Sequence, residues 1–293
     1  MDVRQLQYFI EVAKQGSFTK ASQALHLSQP ALSKMIRNLE TELDVTLLDR
    51  SKKQIHLTDS GKVVYEQAQR VMGMMDDLTS SLYDTVHLKK GTIHFGLPPL
   101  IGTLFFPEII AEFRKRYPGL SIKISEFGAI KVERTVEDGD NDLGVTVGPV
   151  DDTLFHSYPL NKEPMKVALP YHHPLAHRET IKLAELRDEK FIFFHEDFAM
   201  HEMIRQQCIE KGFEPDVELE TSQWDFMVEM IGANIGIAIL PQSICERIST
   251  PKVTSIPLTD PVIPWDLQII MRKDRYQSYA ARAFLEFIQT HKS

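Results

Sequence analysis

The sequence has little cysteine and no long apolar run. Only two of its 293 residues are cysteines, Cys208 and Cys245, which give neither a disulfide framework nor the ligand spacing of a metal site. No apolar stretch approaches the length of a membrane-spanning helix, and the amino terminus lacks the apolar core of a secretory signal. We therefore expect a cytoplasmic protein with no membrane partner.

An excess of positive charge is missing as well. The net charge is −8, which argues against a protein that coats nucleic acid. Residues 1–60 nevertheless hold eight Lys/Arg against seven Asp/Glu, whereas residues 61–293 hold 25 against 34. The nearly neutral amino-terminal part can still bind DNA if its cations share one face. A chain of this length has room for two or three domains.

Motifs of common enzyme and metal sites are absent too. The sequence contains no P-loop, no Gly-x-Ser-x-Gly and no His-Glu-x-x-His. His172, His173 and His177 lie in one proline-containing loop without Cys, Asp or Glu at ligand spacing. These absences predict a protein that is not an enzyme and has no metal or other cofactor.

The first 45 residues predict three short helices. Apolar residues at helical spacing stop at Gly16, and Ser17 is a candidate N-cap for the second helix. Ser28 can cap the third helix, in which Pro30 falls in the first turn, where a missing backbone N–H is harmless. The inward-facing stripe of the third helix consists of Leu32, Ile36, Leu39 and Leu43.

The other side of the third helix is polar and cationic. Amide and hydroxyl groups suit base edges and cations suit phosphates, which is the chemistry of a recognition helix in a major groove. The alternative is an ordinary helical domain with a solvated polar face, and this helix alone does not decide between the two. The side chains on this face are Gln29, Pro30, Ser33, Lys34 and Arg37.

A short basic hairpin is predicted directly after the third helix. Leu47–Arg50 and Ile55–Thr58 have the pattern of two strands joined by a turn. Arg50, Lys52 and Lys53 would flank a duplex and hold backbone phosphates or reach the minor groove. This wing favours DNA binding over the alternative of a solvated face.

The first sixty residues resemble the amino-terminal signature of LysR-type transcriptional regulators. The matching stretches are Phe9-x-x-Val12-Ala13-x-x-Gly16-Ser17-Phe18-Thr19-x-Ala21, Leu25-x-x-Ser28-Gln29-Pro30-Ala31-Leu32-Ser33, Ile36-x-x-Leu39-Glu40 and Leu57-Thr58-x-x-Gly61. Asp44 stands where glycine is usual, and Asp tolerates a left-handed backbone better than most residues. The resemblance implies a winged helix-turn-helix that binds DNA. The predicted DNA contacts are Ser17, Thr19, Gln29, Pro30, Ser33, Lys34, Arg37, Arg50, Lys52 and Lys53.

A heptad seam follows on a long helix that is predicted from Ser60-Gly61 to about Val86-His87. Its 4–3–4–3–4 spacing places six apolar side chains along one line, which favours pairing with a second helix. Packing against the neighbouring domain of the same chain is the alternative. The resemblance implies a homodimer or a homotetramer that reads a dyad-symmetric promoter site and works with RNA polymerase. The seam consists of Val64, Ala68, Val71, Met75, Leu78 and Leu82.

From Gly91 onward, short apolar strands alternate with helical segments. This alternation predicts two α/β lobes on mostly parallel sheets, with crossings near Tyr158–Lys162 and Val262–Asp266. A helix is expected over Phe106–Tyr117, after a loop that extends to Thr103. The fold class is α+β overall: a winged helix-turn-helix at 1–58, a linker helix at 59–90 and an α/β effector domain at 91–293. Residues 91–161 and 266–293 form lobe I and residues 162–265 form lobe II, and the resemblance implies a likeness to periplasmic binding proteins.

Ligands of open α/β sheets bind at the carboxyl ends of strands, where helix N-termini point backbone N–H groups into the crevice. The resemblance assigns four such segments to an effector pocket between the lobes. Leu100 and Ala129 stand where several family members that bind aromatic acids have hydroxyls, so we expect a small organic acid. Gly96–Pro99 and Thr221–Phe226 also resemble CidR-like members, which are linked to pyruvate and acetate overflow. The predicted effector contacts are Pro99, Leu100, Ile101, Thr103, Ala129, Ile130, His195, Phe198, Gln223 and Trp224.

The sequence therefore predicts a sequence-specific, ligand-responsive DNA-binding regulator. The rival hypothesis is an enzyme or a two-lobed small-molecule-binding protein in which the amino-terminal segment only mediates assembly. The predicted crevice would serve either, whereas the basic wing and the missing catalytic motifs favour the regulator.

Overall fold

The computed structural model describes residues 1–50, 54–86 and 90–291, and it describes residues 76–77 and 79–86 by their backbone alone. Contacts between Cα atoms divide the chain into two units, Met1–Val86 and His87–Ser293. Each unit encloses a hydrophobic core of its own. These contacts group the long helix with the amino-terminal unit.

The amino-terminal unit begins with three helices, α1 (Val3–Gln15), α2 (Phe18–Ala24) and α3 (Gln29–Leu43). Gly16 ends α1 with a φ of 58°, a left-handed conformation that glycine adopts without strain. Ser17 and Ser28 cap α2 and α3, because their side-chain oxygens accept hydrogen bonds of 3.4 Å from the backbone N–H groups of Lys20 and Ala31. The predicted boundaries at these residues are confirmed.

Asp44 turns the chain after α3. Its φ of 54° and ψ of 36° are left-handed, which is the conformation expected of a residue at this glycine position. The chain then forms an antiparallel wing of two short strands, β1 (Leu48–Asp49) and β2 (His56–Leu57), and continues into α4 (Asp59–Val86). The buried core of this unit consists of Leu6, Phe9, Val12, Ala21, Leu32, Ile36, Leu39, Leu47, Leu48 and Ala68.

The carboxyl-terminal unit contains the two α/β lobes. Lobe I comprises β3 (Gly91–Leu97), α5 (Pro99–Arg116), β4 (Leu120–Glu126), α6 (Ala129–Glu137), β5 (Leu143–Val147) and α10 (Tyr279–Thr290). Lobe II comprises β7 (Ile181–Lys182), a 3₁₀ turn (Leu183–Leu186), β8 (Lys190–Phe194), α7 (Ala199–Glu210), β9 (Asp216–Thr221), α8 (Trp224–Gly232), β10 (Ala238–Pro241), α9 (Gln242–Cys245) and β11 (Val253–Thr259). Two long strands, β6 (Phe155–Pro170) and β12 (Pro264–Arg272), cross between the lobes.

The sheet of this unit is mixed. Its order is β4-β3-β5-β12-β6-β11-β7, with β10 also paired to β6, while β8 pairs with β9. The pairs β3–β4, β3–β5 and β8–β9 are parallel, as expected. The expectation of mostly parallel sheets is wrong, however, because β6 and β12 pair antiparallel with each other and with β5, β10 and β11. The chain enters lobe II along β6 and returns along β12, so the crossing strands run in opposite directions.

Both predicted crossings lie in this pair of strands. Lys162 lies opposite Asp266, and their side chains form an ion pair of 3.3 Å. The register shifts between Leu267 and Gln268, where β6 contains one extra residue, Leu160. The lobes are thus connected by a bulged two-stranded ribbon.

Helix α5 is longer than predicted. It begins at Pro99 and not at Phe106, so the expected loop up to Thr103 is helical. Proline suits the first helical position because its fixed φ matches the helix and its missing N–H needs no partner there. The start at Pro99 was not predicted because Gly102 and Pro107 both interrupt the helical pattern in the sequence.

Candidate functional site

The polar face of α3 is open to solvent and lies opposite its buried stripe. Ser33 is half-buried. Neither Lys34 nor Arg37 has an ion-pair partner among the described residues, so both cations are available to a phosphate or a base. The exposed residues of this face are Gln29, Pro30, Lys34 and Arg37.

Arg50 differs from these cations because it is tied into the fold. Its guanidinium lies 2.6 Å from Glu40 Oε2 and 5.2 Å from the ring centroid of Phe18. Glu40 also accepts hydrogen bonds of 3.0 and 3.2 Å from the backbone N–H groups of Leu47 and Leu48. This network fixes the first wing strand to α3, so Arg50 positions the wing in addition to carrying charge beside it.

The heptad seam of α4 packs against the core near the start of the helix and is exposed further along it. Val64 packs against the core of the amino-terminal unit, and Ala68 is 2% exposed, as the intramolecular alternative predicts. Val71, Met75 and Leu78 are 39%, 44% and 60% exposed. The first part of the seam therefore stabilises this unit, and its continuation exposes apolar side chains to solvent.

The remaining predicted residues of the amino-terminal unit differ in their exposure, and some are not described by the structure. Thr19 is exposed in the first turn of α2, whereas Ser17 is half-buried and serves as the cap of that helix. Lys52, Lys53 and the side chain of Leu82 lie outside the described residues.

Four helices of the carboxyl-terminal unit begin at the carboxyl ends of parallel strands. α5 and α6 follow β3 and β4 in lobe I, and α7 and α8 follow β8 and β9 in lobe II. None of the four has a side-chain hydrogen bond at its N-cap, whereas α1, α2, α3 and α10 each have one. The first backbone N–H groups of α5–α8 therefore lack the partner that an N-cap side chain supplies, although in α8 the N–H of Phe226 donates to Asp225 Oδ1 at 2.9 Å.

The two lobes meet at the starts of α6 and α7. A Cβ atom on Gly128 would lie 2.4 Å from the backbone oxygen of Asp197, so the approach requires glycine. Gly128 is the N-cap of α6, and Asp197 directly precedes Phe198, the N-cap of α7. The predicted segments at Ala129 and Phe198 are thus brought together across the crevice.

The predicted effector residues divide by their burial. Leu100, Ile101 and Ala129 are buried, and Phe198 and Trp224 are half-buried against the hydrophobic core. The exposed members all lie within four residues of the start of α5, α6, α7 or α8, and they are Pro99, Thr103, Ile130, His195 and Gln223.

A carboxylate and two imidazoles lie at the start of α7. Glu220 is 3.6 Å from His195 Nδ1 and 3.4 Å from His201 Nε2. His201 also meets the ring of Phe193 edge-on, with centroids 5.3 Å apart. No sequence pattern indicated Glu220 and His201, because only the parallel pairing of β8 with β9 brings Glu220 beside His195 and His201.

Two family models match the chain. The model of the "bacterial regulatory helix-turn-helix protein, lysR family" matches residues 3–62, and that of the "LysR substrate binding domain" matches residues 87–293. The chain belongs to the LysR family of transcriptional regulators.

Individual relatives agree with this assignment. The chain is 50% identical to the uncharacterized HTH-type transcriptional regulator YwbI of Bacillus subtilis, over 99% of this chain and 97% of that protein. It is 32% identical to the transcriptional dual regulator GltC of the same organism, over 98% and 96% of the two chains. The solved structure of a full-length OxyR variant from Pseudomonas aeruginosa superimposes with a TM-score of 0.72, at 23% identity and over 99% and 95% of the chains.

Membership in the LysR family decides between the rival hypotheses. LysR regulators bind DNA through the helix-turn-helix domain, bind small-molecule effectors through the substrate-binding domain and form oligomers. The relatives are transcriptional regulators and not enzymes. In the part of the chain that the structure describes, no helix has the length and apolarity to cross a membrane.

The histidine-rich loop of this LysR regulator forms one wall of a cavity of about 600 Å³ on lobe II. His173 is fixed there: its Nδ1 accepts a hydrogen bond from the backbone N–H of Leu175 (3.2 Å), and its Nε2 lies 3.1 Å from Glu189. None of the predicted effector residues lines this cavity. The described residues contain no group of three or more His, Cys, Asp or Glu side chains suited to a metal ion.

Proposed function

We propose that this LysR regulator binds a small organic anion in the crevice between its lobes, and that binding changes lobe closure and thereby DNA binding. The observation that carries the proposal is the set of four uncapped helix starts at α5–α8. Backbone N–H groups without an N-cap side chain, together with the positive end of the helix dipole, attract a carboxylate. Since Gly128 and Asp197 already meet across the crevice, the ligand has to be small.

The side chains at the crevice suit such a ligand. Gln223 and His195 are exposed and can donate to a carboxylate, and the half-buried ring of Trp224 supplies an apolar wall. Leu100 and Ile101 are buried in the hydrophobic core of this unit at the start of α5. A small acid with a short apolar part matches this combination, in keeping with the resemblance to CidR-like members, which stays a prediction.

The DNA partner in this proposal is a dyad-symmetric promoter site in the cytoplasm. The exposed face of α3 enters the major groove and the wing tracks the backbone. The exposed seam residues Val71, Met75 and Leu78 pair two chains into a homodimer. A homotetramer of two such dimers then presents pairs of reading domains to RNA polymerase at the promoter.

The proposal is tested on the full-length protein with its own upstream region. A thermal-shift screen of small monocarboxylates, with benzoate as a larger comparator, should find an acid that raises Tm and alters the mobility of the DNA complex. Trp224→Ala should keep DNA binding and lose this response, whereas Phe226→Ala, an exposed aromatic on the same helix, should keep both.

Two results would contradict the proposal, and they are distinguishable. Specific DNA binding with no response to any small acid would show that the effector class is wrong. Equal affinity for any duplex at fixed ionic strength would show that the protein does not read sequence.

A further inference from the structure

Helix α5 carries a proline in its interior. Pro107 has no N–H group, so the backbone oxygen of Thr103, four residues earlier, cannot receive the usual helical hydrogen bond. The proline ring also pushes this carbonyl outward from the helix axis. A backbone carbonyl in this position needs a donor from elsewhere.

The donor comes from the other lobe. Arg247 of lobe II, two residues after α9, places Nη1 3.3 Å from the oxygen of Thr103 and Nη2 2.9 Å from the oxygen of Leu104. Its planar fork thus spans two consecutive carbonyls of α5. No carboxylate of the described residues pairs with this guanidinium, so these carbonyls are its partners within the described chain.

A second contact lies beside the first. The ring of Phe105, between the two carbonyls and Pro107, lies 6.1 Å from the ring of Trp265 on the crossing strand β12. Trp265 is 1% exposed. The segment Thr103–Pro107 is therefore held both by lobe II and by the ribbon that joins the lobes.

We infer that Arg247 is a positioning residue that latches the first turns of α5 to lobe II, and that Pro107 creates the acceptor for it. The inference rests on the proposed function, because the start of α5 is one of the four helix starts assigned to the ligand. Opening of the lobes must break both hydrogen bonds, so the latch favours the closed arrangement in which those helix starts face each other. Arg247 would then favour the same closed arrangement of the lobes as a ligand bound in the crevice, so each would strengthen the effect of the other.

The latch is tested by hydrogen–deuterium exchange of full-length protein, without DNA or ligand. Arg247→Ala should raise the exchange rate of amides in the first turns of α5 by about tenfold, as expected for loss of charge-assisted hydrogen bonds. Arg247→Lys keeps the charge but cannot span two carbonyls, and should give a smaller increase. Arg114→Ala, on the exposed last turn of the same helix, should leave these amides unchanged.

The double variant separates a specific latch from general packing. In a Pro107→Ala background residue 107 donates to Thr103 itself, whereas the bond from Arg247 to the oxygen of Leu104 remains, so Arg247→Ala should now raise the exchange rate by clearly less than in the native background. An equal effect of Arg247→Ala in both backgrounds, or no effect in either, would overturn the inference. Because the measurement uses neither promoter nor acid, its outcome is independent of the tests of the proposed function.

Discussion

Removal of one guanidinium from the exposed face of α3 should separate DNA recognition from folding. Arg37 is exposed and has no ion-pair partner among the described residues, so Arg37→Ala should change the free energy of unfolding by less than about 0.5 kcal/mol. Loss of one arginine contact to DNA costs about 1–3 kcal/mol. A dimer that reads two half-sites loses two such contacts, about 2–6 kcal/mol, so its Kd should rise at least about thirtyfold.

The assay is fluorescence anisotropy with the protein's own upstream region at several salt concentrations. The matched control is Arg114→Ala, which removes the same charge from the exposed end of α5. If Arg37 contacts phosphate, the slope of log K against log salt should shrink by about 0.9 per lost contact. Equal loss of affinity in the two variants, or unchanged affinity of folded Arg37→Ala, would refute the assignment of α3 as the reading helix.

Three further outcomes follow from the described side chains. Val71→Asp should shift the protein toward monomer in sedimentation experiments. The control is Val63→Asp, because Val63 is 61% exposed but lies off the seam, and it should leave the oligomeric state unchanged. The same oligomeric state in both variants would refute pairing through the seam. Burial raises the pKa of Cys208 and of Cys245 to about 12, so a thiol reagent at about pH 7.5 should label both only after denaturation; rapid labelling of native protein would contradict this. Burial raises the pKa of Glu133, so ionisation of this carboxyl lowers the stability of the fold as the pH rises through that pKa. Glu133→Gln should therefore raise Tm at about pH 7 but not at about pH 4. A difference in Tm that does not depend on pH would contradict this prediction.

The amino-terminal unit was predictable because its signals are local. Gly16, Ser17, Ser28 and Asp44 each act on backbone groups within a few residues, so their roles can be read without knowledge of the tertiary fold. The direction of the polar face of α3 follows from helical periodicity in the same way. The ion pair of Arg50 was not predictable, since its partner lies ten residues away on another element.

The α/β part was predictable as an alternation of elements and not as a sheet. The strands β3, β4, β8 and β9 and the helices that follow them come from apolar patterning, which also placed the four crevice segments. The antiparallel crossing of β6 with β12 depends on how the chain returns between lobes, and no local pattern encodes it.

Residue order alone thus encodes the helices of the amino-terminal unit, their caps, the basic reading face and the succession of the α/β elements, because each depends on residues close together in the chain. Three contacts emerge only in the folded chain: Arg247 on the carbonyls of α5, Glu220 between two imidazoles, and Gly128 against Asp197. Each joins groups from separate elements, and only packing of those elements brings such groups within hydrogen-bonding or contact distance.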